Sequence, residues 1–145
     1  MFSGVSLQGK SVLILGAGGA ARAAAVYLKE AGAEISILNR TYERAEVLAS
    51  FCGGKAVSSV DEEYDAVILA SPVSPLPPEK ILRKGMFAAD MNYLHSDFLD
   101  SAERLGCRTI SGKTMLIAQA ARSFQIWMKS AADSSAMNDA FGDDS

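Results

Sequence analysis

An apolar run, Ser11-Val12-Leu13-Ile14-Leu15, leads straight into Gly16-Ala17-Gly18-Gly19-Ala20-Ala21 and then into an alanine-rich, helix-favouring stretch. A strand that breaks at glycines and reopens as a helix confines the chain to a βα unit whose helix N-terminus faces the strand's carboxyl end. The glycines have separate tasks. One makes the tight turn, the next lets backbone approach a ligand with no Cβ in the way, and the small Ala21 permits close packing of helix on strand. The unpaired N–H groups and positive dipole end of that helix suit phosphate, so the turn reads as the seat of a dinucleotide pyrophosphate.

The same alternation continues along the chain. A helix is expected from about Ala20 to Ala31, closed by Gly32, then a strand at Glu34–Leu38. A second helix, Tyr42–Phe51, has Thr41 as N-cap, Glu43 in its first turn and Gly53-Gly54 as its stop. Lys55–Val57 reads as a short strand and Asp65–Ala70 as a buried one. Prolines at 72, 75, 77 and 78 predict an extended loop without regular structure at that strand's carboxyl end. Met86–Met91 is the next strand, Asp97–Leu105 a helix stopped by Gly106, Arg108–Ile110 the last strand, and Lys113 to about Lys129 the last helix. Six strands separated mostly by helices of around ten residues imply an α/β fold. This is a Rossmann-type, doubly wound, mainly parallel sheet of order 3-2-1-4-5-6 with helices on both faces.

Composition narrows the function classes. The chain has 145 residues, 49% of them apolar, enough for one globular domain with a real core. No apolar run reaches the roughly 18–20 residues of a membrane span, and the first residues lack the blocks of a secretory signal. Net charge is −3, and four acids, Asp133, Asp139, Asp143 and Asp144, lie in the last fifteen residues, which hold no Lys or Arg. The remainder is nearly neutral, so neither a nucleic-acid surface nor a membrane patch is indicated. Residues 1–130 are therefore read as the folded domain and 131–145 as an acidic tail that frays. Cys52 and Cys107 lack metal-ligand spacing and read as buried small residues of a reducing, cytoplasmic compartment.

The end of the second strand separates the two nicotinamide cofactors. An NAD site commonly carries Asp or Glu there to hold the ribose hydroxyls. This chain has Asn39-Arg40-Thr41, with Arg44 one turn into the next helix. A carboxylate would repel a 2′-phosphate, whereas Arg40 can make a forked, charge-assisted pair with it of about 1.5–3 kcal/mol. Thr41 and the adjacent helix amides supply further donors. The expected cofactor is NADP(H).

At this point the sequence resembles the C-terminal, NADP-binding half of the shikimate dehydrogenases, including those fused to a 3-dehydroquinate dehydratase. Gly16 through Ala23 is similar to the family's glycine-rich turn, and Asn39-Arg40-Thr41 with Arg44 and Ala45 to its 2′-phosphate clamp. Gly112, Met115-Leu116, Gln119-Ala120-Ala121, Ser123-Phe124 and Trp127 are similar to its last-but-one helix. Asp90-Met91-Asn92-Tyr93 resembles the segment after its fifth strand. The resemblance implies a phosphate cradle at Gly16, Gly18, Gly19 and Ala20 and a clamp at Asn39, Arg40, Thr41 and Arg44. It also implies a nicotinamide end at Ser71, Met91, Gly112 and Met115, with Tyr93 and Gln119 touching shikimate or 3-dehydroshikimate.

Read from the residues alone, Met115 and Gln119 share one helix face, with Leu116, Ala120, Phe124 and Trp127 forming an apolar stripe beside them. Met115 suits a core as readily as a cofactor pocket, Tyr93 fits core and site equally, and a buried Gln119 amide needs partners. His95, the single histidine, is read as a loop residue and Arg22 as lying beside the phosphate loop or over the sheet edge.

Departures from the family pattern fall after the fourth strand, in a loop after Tyr93 about two residues shorter than the family's, and at Thr114, where the family often has Gly. After the fourth strand the family commonly has Asn-Ala-Thr-Pro, against Leu69-Ala70-Ser71-Pro72 here. Ser71 can stand in for the Thr hydroxyl, but Leu69 cannot supply an amide. No residue matches the Lys and Asp with which the family handles the reacting hydroxyl's proton in an N-terminal substrate domain, so no catalytic residue is assigned. The chain by itself is expected to bind cofactor without turnover. Two rival readings are the nucleotide domain of a glutamyl-tRNA reductase-like enzyme and a non-catalytic NADP-binding or sensing module.

Overall fold

The computed structural model describes residues 7–92 and 97–110. Its elements, in order, are β1 (Ser11–Leu15), α1 (Gly19–Glu30), β2 (Glu34–Leu38), α2 (Tyr42–Cys52), β3 (Lys55–Val57), β4 (Ala66–Leu69), β5 (Phe87–Asp90), α3 (Asp97–Arg104) and β6 (Arg108–Ile110). All pairings are parallel, in the order β3-β2-β1-β4-β5-β6 expected from the sequence. The reversal falls between β1 and β4, both next to the start of the winding. That is the switch point at which such sheets leave a crevice.

Strand period divides the core in two. Val12 and Ile14 of β1, Ile35 and Ile37 of β2, and Ala66 and Ile68 of β4 pack with Ala21, Ala24, Ala25 and Leu28 of α1 and with α2. Leu13, Leu15, Leu38, Val67 and Leu69 point the other way, against Ile81, Leu82, Phe98 and Ala102. The strands read as continuous apolar runs because both faces are covered. Each fully buried Leu or Ile contributes about 1.5–3 kcal/mol through water exclusion. On α1 the buried positions repeat at helical spacing and three of the four are Ala, which lets the helix lie close to β1 and hold its N-terminus over the crevice.

Turn chemistry sets the boundaries. Gly32 takes φ +81° after α1, and Gly53 takes φ +71° after α2 in the left-handed cap conformation. The proline segment departs from expectation. It is not wholly irregular, because Pro78–Lys80 forms a single 3₁₀ turn in which Lys80 N–H donates to the Pro77 carbonyl at 3.0 Å. Pro78 sits at the start of that turn, where a missing N–H costs nothing. Cysteine burial also differs from expectation. Cys52 is buried, while Cys107 is half-buried with its thiol 3.3 Å from the Arg83 carbonyl. Desolvation still pushes the Cys107 thiol above its ordinary range. The helix expected at 113–129, the tail, and Tyr93, His95, Gly112, Met115, Gln119 and Trp127 lie outside the described residues.

Candidate functional site

The glycine turn is stapled between its two neighbouring strands. Gly16 N–H donates to the Leu38 carbonyl of β2 at 2.9 Å, and Ala70 N–H donates to the Leu15 carbonyl at 2.8 Å. Gly16 has φ +123°, and a Cβ there would sit 3.1 Å from the Ala70 carbonyl carbon and 3.2 Å from Ser71 Cβ. Glycine is therefore required both by conformation and by the close approach of the β4 loop. Gly18 and Gly19 differ in kind. A Cβ on either would meet nothing within 4 Å, so space lies open above the turn.

Gly18 is the N-cap of α1. It offers no side chain to the helix, and no acidic residue occupies the first turn. The first N–H groups of α1 thus point outward without a side-chain cap, beneath the positive end of the helix dipole. This is the arrangement a phosphate group satisfies.

The residues expected to clamp a 2′-phosphate stand at the next strand end. Asn39 follows β2 directly, and its Nδ2 donates to the Thr41 carbonyl at 2.9 Å. The same carbonyl accepts Arg44 N–H at 3.2 Å and Ala45 N–H at 3.4 Å, so Asn39 shapes the turn that starts α2. Thr41 occupies the N-cap, as the sequence predicts, yet makes no side-chain cap bond. Among the described residues the single ion pair joins Lys55 to Glu62. Arg40 and Arg44 are exposed and have no acidic partner there, and Arg40 lines the crevice.

A cavity of about 290 Å³ brings these parts together, lined by Gly16, Asn39, Arg40, Ser71, Pro72, Val73 and Pro75. Gly18, Gly19 and Ala20 belong to the adjoining turn and the start of α1, and Thr41 and Arg44 to the start of α2, outside the cavity's lining. Met91 is half-buried against the α1-side core. Arg22 lies on the outer face of α1, its guanidinium 5.2 Å from the Phe51 ring centroid, in a stack on α2. Sequence reasoning missed the wall formed by Pro72, Val73 and Pro75. The proline cluster was its signal, since a segment without regular pairing at a strand's carboxyl end must line the crevice there.

Ser71 spends its hydroxyl inside its own loop, donating to the Val73 carbonyl at 2.8 Å, and Ser74 does the same to Leu76 at 2.6 Å. A second cavity, about 610 Å³, lies beyond this loop and is lined by Leu69, residues 72–78, Asp90, Asn92, Asp97, Phe98 and Ser101. Among the described residues no group of three or more His, Cys, Asp or Glu gathers as a metal site, and no helix is long and apolar enough to cross a membrane.

A switch-point crevice with an uncapped helix start, open glycines and two arginines without an acidic partner among the described residues defines a Rossmann-type nucleotide domain. Comparison with known proteins names the lineage. The family model described as shikimate / quinate 5-dehydrogenase matches residues 2–94, and the chain belongs to that family. An NADP(+)-type shikimate dehydrogenase of Methanococcoides burtonii is 40% identical over 138 residues, covering 86% of this chain and 51% of that protein. The bifunctional 3-dehydroquinate dehydratase/shikimate dehydrogenase of Arabidopsis thaliana is 37% identical over 136 residues, or 83% of this chain and 23% of that protein. The Thermus thermophilus shikimate 5-dehydrogenase, solved with NADP(H) and shikimate, superposes with a TM-score of 0.76 at 38% identity. That superposition covers 92% of this chain and 54% of the other. The chain spans about half the length of the single-function curated relatives it matches. Family membership sets aside the glutamyl-tRNA reductase-like alternative.

Proposed function

We propose that this chain is the NADP(H)-binding domain of a shikimate dehydrogenase, supporting NADPH-dependent reduction of 3-dehydroshikimate to shikimate. The observation that carries the reading is the cavity uniting Gly16, Asn39 and Arg40, with no carboxylate among its described lining residues. The residues present fit the cofactor: an uncapped helix start for the pyrophosphate and, for a 2′-phosphate, guanidinium groups without an acidic partner among the described residues. When bound, NADPH supplies the hydride.

Within this reading Gly16, Gly18, Gly19 and Ala20 cradle the phosphates. Arg40, Thr41 and Arg44 hold the 2′-phosphate over the turn that Asn39 shapes. Ser71, Met91, Gly112 and Met115 lie toward the nicotinamide, and Tyr93 and Gln119 reach the substrate. Residues 1–130 form the cofactor domain and 131–145 the acidic tail, in a cytoplasmic protein. The groups that move the substrate's proton come from elsewhere in the enzyme, since no residue here matches them.

Titration of the 145-residue chain with NADPH and NADH tests the cofactor assignment. NADPH is expected to bind at least tenfold more tightly, because the charge-assisted arginine contacts are lost with the 2′-phosphate. Equal or tighter NADH binding would overturn it. The chain alone is expected to form no NADPH from shikimate and NADP+, and clear turnover would refute the assignment of proton transfer to other residues.

A further inference from the structure

We propose that Asn92 is a positioning residue for the nucleotide cleft: its carboxamide latches the loop after β4 to the end of β5 and so sets the cleft wall opposite Gly16. The proposal rests on the cofactor reading above and adds to it a residue that does not face the cofactor cavity.

The parallel ladder between β4 and β5 shows what the latch replaces. Phe87 N–H donates to the Asp65 carbonyl at 3.0 Å, and Met91 N–H donates to the Leu69 carbonyl at 2.9 Å. The next acceptor on that edge of β4 is the Ser71 carbonyl, at the point where Pro72 ends regular pairing. It is reached by a side chain. Asn92 Nδ2 donates to Ser71 O at 2.9 Å and to Asp90 Oδ1 at 2.7 Å, using both of its amide hydrogens. Asp90 is 2% exposed, and its Oδ1 also accepts the Asn92 backbone N–H at 2.8 Å. A buried carboxylate thus aims the amide, and the amide supplies one more rung of the ladder.

That rung has a consequence at the glycine turn. Ser71 and Ala70 are the groups that come within 3.2 Å of a Cβ at Gly16. Pro72, Val73 and Pro75 line both the 290 Å³ cavity and the 610 Å³ cavity, so the loop is a partition between them. A partition free to move away from Gly16 would widen the smaller cavity and weaken its grip.

The test compares Asn92→Leu and Asn92→Gln with the unaltered chain by NADP+ titration. Asn92→Leu is expected to bind about tenfold more weakly, the loss of one net hydrogen bond. Asn92→Gln keeps a carboxamide on a stem one methylene longer and is expected to stay within about threefold of the unaltered chain. Binding of Asn92→Leu within twofold of the unaltered chain, or a loss in Asn92→Gln equal to that in Asn92→Leu, would overturn the latch.

Hydrogen exchange separates the latch from the cofactor reading. In Asn92→Leu the Ala70 and Met91 amides, bonded to the Leu15 and Leu69 carbonyls on either side of the latched loop, are expected to exchange faster while the β1 amides do not change. Should the unaltered chain bind no NADP+, the cofactor reading fails and this exchange decides the latch alone. Unchanged exchange at Ala70 and Met91 would then refute it.

Discussion

The two sides of the crevice treat their polar groups in opposite ways. On the β1–β2 side the donors are left unspent: the first amides of α1 lack a side-chain cap, the Thr41 hydroxyl makes no cap bond, and Arg40 and Arg44 have no acid among the described residues. On the β4–β5 side almost every donor is consumed internally, Ser71 on Val73, Ser74 on Leu76, and Asn92 on Asp90 and Ser71. A ligand-binding surface keeps donors available, and a wall satisfies its own. The contrast assigns grip to one side and shape to the other, and substitutions on the two sides are expected to move different measurements.

The largest effect is expected from Gly16→Val, which touches both sides at once. A β-branched residue at φ +123° meets Ala70 and Ser71 as it forms, and strain of about 1–3 kcal/mol is expected in thermal melts. NADP+ affinity is expected to fall more than a hundredfold, and binding that survives within tenfold would break the picture of a turn pressed against the wall. Arg40→Ala comes next, weakening NADP+ by about 10–100-fold with NAD+ affinity unchanged, as measured by parallel titrations. An equal loss for both cofactors would show that Arg40 does not read the 2′-phosphate.

A smaller pair sharpens the contrast directly. Thr41→Ala is expected to lower NADP+ affinity about threefold to tenfold while changing stability by under about 0.5 kcal/mol, because no cap bond is lost. Ser71→Ala is expected to do the reverse, costing about 0.5–1.5 kcal/mol of stability with affinity within twofold, because its hydroxyl serves Val73 and its carbonyl remains for Asn92.

The smallest effect lies away from both walls of the crevice, where Tyr64 meets Ser36 of β2. Burial raises the Tyr64 phenol above its ordinary value of 10.0, against a hydrogen bond with Ser36 that lowers it. A group that keeps its proton longer when folded contributes stability that is complete below the unfolded value. That stability is lost as pH rises through the folded one. Melting temperature is therefore expected to drop above about pH 10, and Tyr64→Phe to flatten that drop. An identical alkaline slope in the variant would remove Tyr64 from the account.

Much of this was readable in order along the chain. Gly32, Gly53 and Gly106 take positive φ after α1, α2 and α3, where the sequence reading puts their ends, because a left-handed cap is a local requirement that names its residue. The strands were legible because a sheet covered on both faces leaves continuous apolar runs. Pro78–Lys80 was misjudged because a 3₁₀ turn tolerates proline at its start, and four prolines hide that. Cys107 was misjudged because its exposure depends on how β6 and the Arg83 loop meet. Asn92 was overlooked because its partners are two residues before it and twenty-one residues before it, and no local pattern links the second.

By itself, then, the sequence determined the winding of the sheet, the glycine turn and the basic residues that follow β2, since each depends on period, conformation or charge within a few residues. Tertiary structure decided which donors stay free and which are consumed, because a hydrogen bond is settled by what the fold brings within about 3 Å. Arg40 faces an open cavity and Asn92 faces a carbonyl in the loop after β4. Nothing in their own segments distinguishes those fates.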